Sequence, residues 1–347
     1  MKCCEACFQP HANPLKALTE EAAALGNCDL CGDTGVNVWP ATALLDAMGG
    51  VVDHYESAPP GDAASAPIAE QLQRDWSIFT VGDFDRIREF LNDVFSGSNA
   101  FVASNQPVRL RRAGGVDGTD HVDAWDRLAG DLMYGNRYFP SIATHYRFLA
   151  DILKSRVKRV DPGVDLFRAR VCDHRGGFPS LEMSMPPRGK ACAGRANPAG
   201  IPHLYLAMDE ETCIRESRAT QHNFVTVARF RVGLALDVLN LADVKLLDPF
   251  AIEKDAASAL DAARTVQRLG YELRRPVRPT DDTVEYVPTQ YLSGLVKSLG
   301  FDGILYSSSL CNDGVNIVLF SDAKVSVEGV PVTHEITSVT LQCEVVT

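Results

Sequence analysis

The sequence predicts an α+β protein, with a mostly helical amino-terminal part bearing a zinc knuckle and a carboxyl-terminal part of mixed short strands and helices. Three observations carry that expectation. Apolar residues recur at helical spacing up to about Val157, β-branched and aromatic runs take over after the turn Asp161-Pro162-Gly163, and two matched cysteine pairs lie near the amino end. The change of pattern places the expected domains at 1–157 and 158–347.

The first element is the cysteine pattern. Cys4-Glu5-Ala6-Cys7 and Cys28-Asp29-Leu30-Cys31 form a C-x2-C, twenty-residue gap, C-x2-C arrangement, which suits four thiolates converging tetrahedrally on one zinc. Four sulfurs close the coordination shell, so the metal would be structural. Cys3 is a competing ligand at the first knuckle, and two redox or buried pairs are the alternative reading. Of the ten cysteines, Cys172, Cys192, Cys213, Cys311 and Cys343 share no spacing and read as small buried thiols in a reducing compartment. An Ala-rich segment, Pro14 to Leu25, separates the knuckles.

The run from Ser57 to Pro67 is rich in Pro, Gly and Ser and reads as a linker between helical pieces. Beyond it, Asp83 can cap a helix with Phe84, Ile87, Leu91 and Val94 on one face. Trp125, Leu128 and Leu132 mark a second helix, and Ile142, Tyr146, Leu149 and Leu153 mark a third over about 141–153. Then strands dominate: about 164–171, Phe224 to Val232, Gly303 to Tyr306 and Val315 to Phe320. Helical stretches are expected over about Ile252 to Leu269 and Pro288 to Leu299, the latter begun by a proline suited to a first helical position.

Composition narrows the function classes. With 347 residues, 46% hydrophobic and 23% charged, the chain can bury a sizeable core. A net charge of -11 and a pI near 5.2 argue against wrapping a nucleic-acid backbone, whose non-specific affinity comes from clustered Lys and Arg releasing counterions. A small anionic ligand needs only one or two arginines. No run reaches the roughly 18 apolar residues of a membrane span, and the start Met1-Lys2-Cys3-Cys4-Glu5 lacks the apolar core of a secretory signal, so a cytoplasmic location is expected.

The richest segment for chemistry is Gly194-Arg195-Ala196-Asn197-Pro198-Ala199-Gly200-Ile201, followed by the strand-like His203 to Ala207 and by Glu216. An arginine on a Pro/Gly turn is an anion clamp, Tyr205 in the strand is a stacking surface, and a carboxylate one short helix later can steady a cation. Asp209 can cap the helix that carries Glu216. Each has a plainer alternative: Tyr205 as core, Glu216 as surface, Asn197-Pro198 as a turn.

Together with Leu166-Phe167-Arg168-Ala169-Arg170, Tyr286-Val287-Pro288-Thr289-Gln290 and Gly300 to Ser308, this segment resembles the RES family of NAD+-consuming toxins, named for an arginine, a glutamate and a serine. The resemblance covers roughly Leu166 to Phe320 and implies an ADP-ribosyltransferase-like fold. It puts the family's first arginine on Arg168, its second on Arg195 and its glutamate on Glu216. The serine's expected place falls near Val287 and Pro288, so Thr289 or Ser307 would have to supply the hydroxyl.

The implied activity is cleavage of the nicotinamide–ribose bond of NAD+, with ADP-ribose passing to water or phosphate and growth arrest by NAD+ depletion. Arg168, Arg195 and Asn197 would bind the dinucleotide, Tyr205 would stack on the departing ring, and Glu216 would oppose the developing cation. Transfer of ADP-ribose to a macromolecule and a non-catalytic nucleotide-sensing module are the alternatives. The family also implies a neutralising partner such as an Xre-type antitoxin, and a homo-oligomer is compatible. The cysteine-bearing amino region, with Trp76 and Asn136 to Phe139, resembles the HEPN-type domain found before some RES domains. RNA-cleaving HEPN domains space arginine and histidine four to six residues apart, whereas seven separate Arg137 from His145, so His145 reads as structural rather than as a general base.

Overall fold

A computed structural model describes residues 1–19, 23–62, 65–111, 121–140, 146–243, 247–252, 255–275 and 283–340. The chain forms two compact units: Met1–Asp120 with Lys245–Ala263, and His121–Val244 with Arg264–Thr347.

In the first unit, β1 (Lys2–Cys3), β2 (Ala24–Gly26) and β3 (Val36–Pro40) make an antiparallel sheet in the order β1-β3-β2. α1 (Leu45–Val52) follows. β4 (Tyr55–Ser57), β5 (Ala66–Pro67) and β6 (Pro107–Leu110) form a second antiparallel sheet with β6 in the middle. Three helices fill the interval: α2 (Ile68–Trp76), α3 (Phe84–Val94) and α4 (Ala100–Ser104). The expected cap holds, since the Asp83 carboxylate accepts from the backbone N–H groups of Asp85 and Arg86. Phe8, Phe79 and Phe90 meet with ring centroids 5.7 to 6.3 Å apart at the centre of a core that also takes Leu72, Ile87 and Leu91.

Two expectations are corrected here. The amino-terminal helices are accompanied by two three-stranded sheets, whose strands of two to five residues are too short to leave an alternating pattern. The Ser57–Pro67 run joins strands, not helices: β4 ends at Ser57, β5 starts at Ala66, and both pair with β6.

The second unit begins with α5 (His121–Tyr134), α6 (Tyr146–Ser155) and β7 (Val157–Val160). There follow β8 (Asp165–Cys172), α7 (Ser180–Met183), β9 (Leu204–Ala207), α8 (Glu210–Glu216), β10 (Phe224–Val232) and β11 (Leu236–Asn240). α9 (Ala256–Arg274) belongs to this unit from Arg264 onward. α10 (Val287–Ser298), β12 (Gly303–Ser307), β13 (Val315–Leu319) and β14 (Val325–Glu335) complete it.

The eight strands form one sheet in the order β14-β10-β8-β9-β13-β12-β11-β7. β8 and β9 pair only through Phe167 and Ala207, so the sheet splays between its two halves there. Alternation then sorts the side chains. Leu166, Leu204, Leu206, Leu305, Ile317 and Phe230 pack on one face as a core, while Phe167, Ala169, Ala207, Val225 and Val227 lie on the other, beneath Cys213 and Ile214 of α8. α8 thus delivers Glu216 to that second face.

Candidate functional site

Two places gather chemistry-bearing side chains. In the first unit, a 3-10 turn at Glu5–Cys7 presents Cys4 and Cys7, and the turn between β2 and β3 presents Cys28 and Cys31. The sulfurs lie 3.8 Å apart for Cys4–Cys7, 3.4 Å for Cys4–Cys31 and 3.3 Å for Cys7–Cys28, and all four are within 4.8 Å of one another. Sulfurs bound tetrahedrally at about 2.3 Å from zinc stand about 3.8 Å apart, so the donor set fits that metal. Cys31 N–H also points at Cys28 Sγ, 3.4 Å away, steadying that sulfur as an anion. Burial pushes the Cys31 thiol up to about 12 and Cys7 higher still, a crowding that a divalent cation relieves. The cysteines described are all free of disulfides, and Cys3 turns away to the Trp39 carbonyl, 3.8 Å from its sulfur.

In the second unit, the segment 194–201 is a loop pinned from both sides. Asn197 is buried; its Nδ2 donates to the carbonyls of Cys192, Pro198 and Ile201 at 2.9 to 3.1 Å, and its Oδ1 accepts from the Tyr205 hydroxyl at 2.7 Å. Tyr205 in turn accepts from Ala196 N–H. From α10, Thr289 Oγ1 donates to the Arg195 carbonyl at 2.6 Å, and Gln290 Nε2 donates to the carbonyls of Gly194 and Asn197. Gly194 has to be glycine, because a Cβ there would stand 2.7 Å from Asn197 Oδ1 and 2.8 Å from the Tyr205 hydroxyl. This frame holds Arg195, whose Nη1 donates to the Glu272 carbonyl and whose guanidinium sits 5.9 Å from the Tyr286 ring centre. Burial lowers the Arg195 pKa, while Tyr286 and Tyr306 nearby act in the opposite sense.

Glu216 ends α8, which Asp209 caps by accepting from Thr212 N–H. Its Oε1 accepts from Ser308 Oγ at 2.6 Å and from Asn316 Nδ2 at 2.8 Å. Asn316 pairs across β12–β13 with Tyr306 and across β13–β9 with Ala207. Tyr205, Tyr306 and Asn316 therefore share the face that receives Glu216. The Tyr306 phenol is pushed up chiefly by burial, then by Tyr205 and Glu216, against the pull of Arg195, and burial raises Tyr205 to about 12. Both phenols stay neutral donors beside a carboxylate and an arginine.

The predicted residues thus separate. Asn197 and Tyr205 are hydrogen-bonded beside Arg195, and Tyr306 feels the charges of both Arg195 and Glu216. Thr289 supports the Arg195 loop and does not reach Glu216. Ser307 faces away from Tyr306 by alternation and donates to the Ala242 carbonyl at 3.1 Å. The hydroxyl on Glu216 belongs to Ser308, one residue on. Arg168 projects from β8 to the face opposite Tyr205 and Tyr306, because its neighbour Phe167 pairs with Ala207. Its Nη1 donates to the carbonyls of Met183 and Ser184, and burial together with Arg170 lowers its pKa to about 10. His145 lies outside the described residues.

Sequence reasoning gave no role to Ser308, Tyr306 or Asn316. Tyr306 and Ser308 stand in a motif run whose alternation could have separated Ser308 from Ser307. Asn316 had one available signal, a lone amide inside the apolar run Val315 to Phe320.

A family model described as the RES domain matches residues 165–342, just over half of the chain. No curated protein matches the chain. Among solved structures, the chain is similar to one described as the crystal structure of the M. tuberculosis MbcT-MbcA toxin-antitoxin complex, at 15% identity over 55% of this chain and 92% of that one, with a TM-score of 0.31.

Proposed function

The chain belongs to the RES domain family, and from that premise we propose that it is an NAD+-consuming, toxin-like enzyme that breaks the nicotinamide–ribose bond. The observation that carries this reading is the Glu216 carboxylate, anchored by Ser308 and Asn316 on a sheet face shared with Tyr205 and Tyr306. Arg195 grips the pyrophosphate with paired hydrogen bonds from a guanidinium that the loop frame holds in place. Arg168, on the opposite face of β8, contributes by tying Met183 and Ser184 to the sheet, and Asn197 binds by shaping the loop. Tyr205 stacks on the leaving aromatic ring.

In the reaction, the bond between C1 of the ribose and the nicotinamide nitrogen breaks, and its electron pair leaves with the ring and neutralises the pyridinium. The ribose becomes oxocarbenium-like, and the Glu216 side chain opposes that charge. Water or phosphate then supplies oxygen to C1, and water loses a proton in doing so. Ser308, rather than Thr289 or Ser307, plays the part of the family's serine.

Zinc held by Cys4, Cys7, Cys28 and Cys31 is structural in this reading, because four sulfurs leave no place for water. The amino-terminal region serves as a HEPN-type companion that restrains or senses rather than cleaves RNA. The protein acts in the cytoplasm, is neutralised by an Xre-type antitoxin, and self-associates through contacts of its own. Among the described residues no helix is long and apolar enough to cross a membrane.

The test is incubation of the purified chain with NAD+, with and without phosphate, followed by chromatography and mass spectrometry. Free nicotinamide together with ADP-ribose or its phosphorylated form is expected. Intact NAD+ after prolonged incubation of folded protein, or ADP-ribose found only on a macromolecule, would overturn the proposal.

A further inference from the structure

Asn316 is the second residue of β13, with only 5% of its surface exposed, and precedes Ile317, Val318 and Leu319, all of them buried. A strand packed this way favours an apolar, β-branched residue, and a buried amide there costs free energy unless its hydrogen bonds are made. Its Nδ2 makes one to Glu216 Oε1 at 2.8 Å. Ser308 makes the other bond to the same oxygen. The Ser308 hydroxyl accepts from the backbone N–H groups of Leu310 and Cys311 at 3.0 and 3.1 Å, so its single proton is left for Glu216. Among the described residues Oε2 of Glu216 has no hydrogen-bond partner.

Resting on the reading that Glu216 serves NAD+ cleavage, we infer that Asn316 is a positioning residue: with Ser308 it holds Oε1 of Glu216 so that Oε2 is the oxygen presented to the ribose. A carboxylate gripped at one oxygen by donors from two different elements cannot rotate about its terminal bond without breaking both contacts. Its orientation is therefore set before substrate arrives, which removes a cost from the barrier rather than from binding. Asn316 owes its own orientation to the sheet, since it is fixed between Ala207 and Tyr306 in register. The hydroxyl for which the family is named would then be one half of a two-part device.

The experiment uses the full chain with Asn316→Ala, Asn316→Asp and, as reference, Glu216→Gln. Asn316→Asp keeps the shape but replaces the donor with a second carboxylate against Glu216, so kcat for NAD+ should fall on the order of a hundredfold. Asn316→Ala, which also covers the case of an Asp variant that does not fold, should lose about tenfold. KM should move by less than about twofold in both, because the interaction acts after binding. A wild-type kcat in either folded variant, or losses carried by KM and a lowered melting temperature, would overturn the inference. Crystal structures decide it separately from the NAD+ reading. Should the wild type leave NAD+ intact, a Glu216 carboxylate that turns in Asn316→Ala still supports the positioning role, and one that stays in place overturns it.

Discussion

In the first unit, each of two tight turns supplies two sulfurs, Cys4 with Cys7 and Cys28 with Cys31, and the four meet in one cluster. In the second unit, Glu216 takes its donors from Ser308 and Asn316, 92 and 100 residues further along the chain, after β10, β11, α9, α10 and β12 have been laid down. A cluster built from turns ties together segments whose strand pairing is only two or three residues long, beside a core of Phe8, Leu30 and Val38. A pocket built on a completed sheet inherits its geometry from a core made on the other face. The cluster should therefore fail as a unit, and the pocket should lose function one contact at a time.

The largest effect is expected from metal loss. About one zinc per chain should be found by elemental analysis of the purified protein. Binding free energies of about 10–16 kcal/mol for structural zinc match or exceed the roughly 5–15 kcal/mol stability of a whole domain. Cys28→Ser with Cys31→Ser, or a strong chelator, should therefore melt helical signal contributed by α2 and α3, read by circular dichroism. A metal-free wild type with full helicity would break the comparison at its first term.

Next comes the pocket's carboxylate. Glu216→Gln keeps size and hydrogen bonding but removes the charge, and turnover of NAD+ should drop by on the order of a hundredfold or more. Calorimetric NAD+ binding and the melting temperature should stay close to wild type, unlike the outcome for the cysteines. Wild-type turnover in the folded variant would remove Glu216 from the chemistry.

The same contrast explains what could be read beforehand. The cysteine pattern is visible because its four sulfurs come from two pairs of residues close in sequence, at a spacing that suits zinc. β10 matched its expectation, Phe224–Val232, since nine residues of β-branched and aromatic type carry a strong local signal. β1, β5 and the other short strands of the first unit were invisible, because two or three residues cannot establish a period. The expected boundary near residue 157 follows the change of sequence pattern, whereas the compact units divide the chain by packing, with Lys245–Ala263 returning to the first unit. No local pattern announces such a return. At the proposed site, one short stretch of sequence nominates Arg195, Tyr205 and Glu216, whereas preferring Ser308 to Ser307 requires knowing which face of β12 Tyr306 occupies.

A smaller and more discriminating effect separates the two arginines. Arg195→Ala removes a guanidinium that the loop frame presents beside Tyr286, and NAD+ affinity should weaken by about tenfold or more with a smaller change in kcat. Arg168 ties Met183 and Ser184 to β8 from the opposite face of the sheet. Arg168→Ala should cost about 1–3 kcal/mol of stability, the ordinary penalty for unsatisfied buried carbonyls, and weaken NAD+ binding less than Arg195→Ala does. Denaturant titration and calorimetry on both variants measure the two quantities. The reverse ranking would place the dinucleotide on the face that Arg168 occupies.

The smallest expected effect tests the face assignment most directly. Ser307 and Ser308 are adjacent, equal in size and equally able to donate, so composition cannot tell them apart. Their contacts can: Ser307 donates to the Ala242 carbonyl, which keeps a second lone pair for other donors, whereas Ser308 donates to Glu216. Ser307→Ala removes one neutral hydrogen bond of about 0.5–1.5 kcal/mol at the carboxyl end of β12, and NAD+ turnover should stay within about twofold of wild type. Ser308→Ala strips Glu216 Oε1 of one of two donors and leaves Leu310 N–H and Cys311 N–H without their acceptor, so turnover should fall at least about tenfold. Measured side by side at saturating NAD+, the pair compares two hydroxyls at adjacent positions that point to different partners. A larger loss from Ser307→Ala than from Ser308→Ala would mean that β12 runs one residue out of the register described, which would turn Tyr306 away from Glu216 as well.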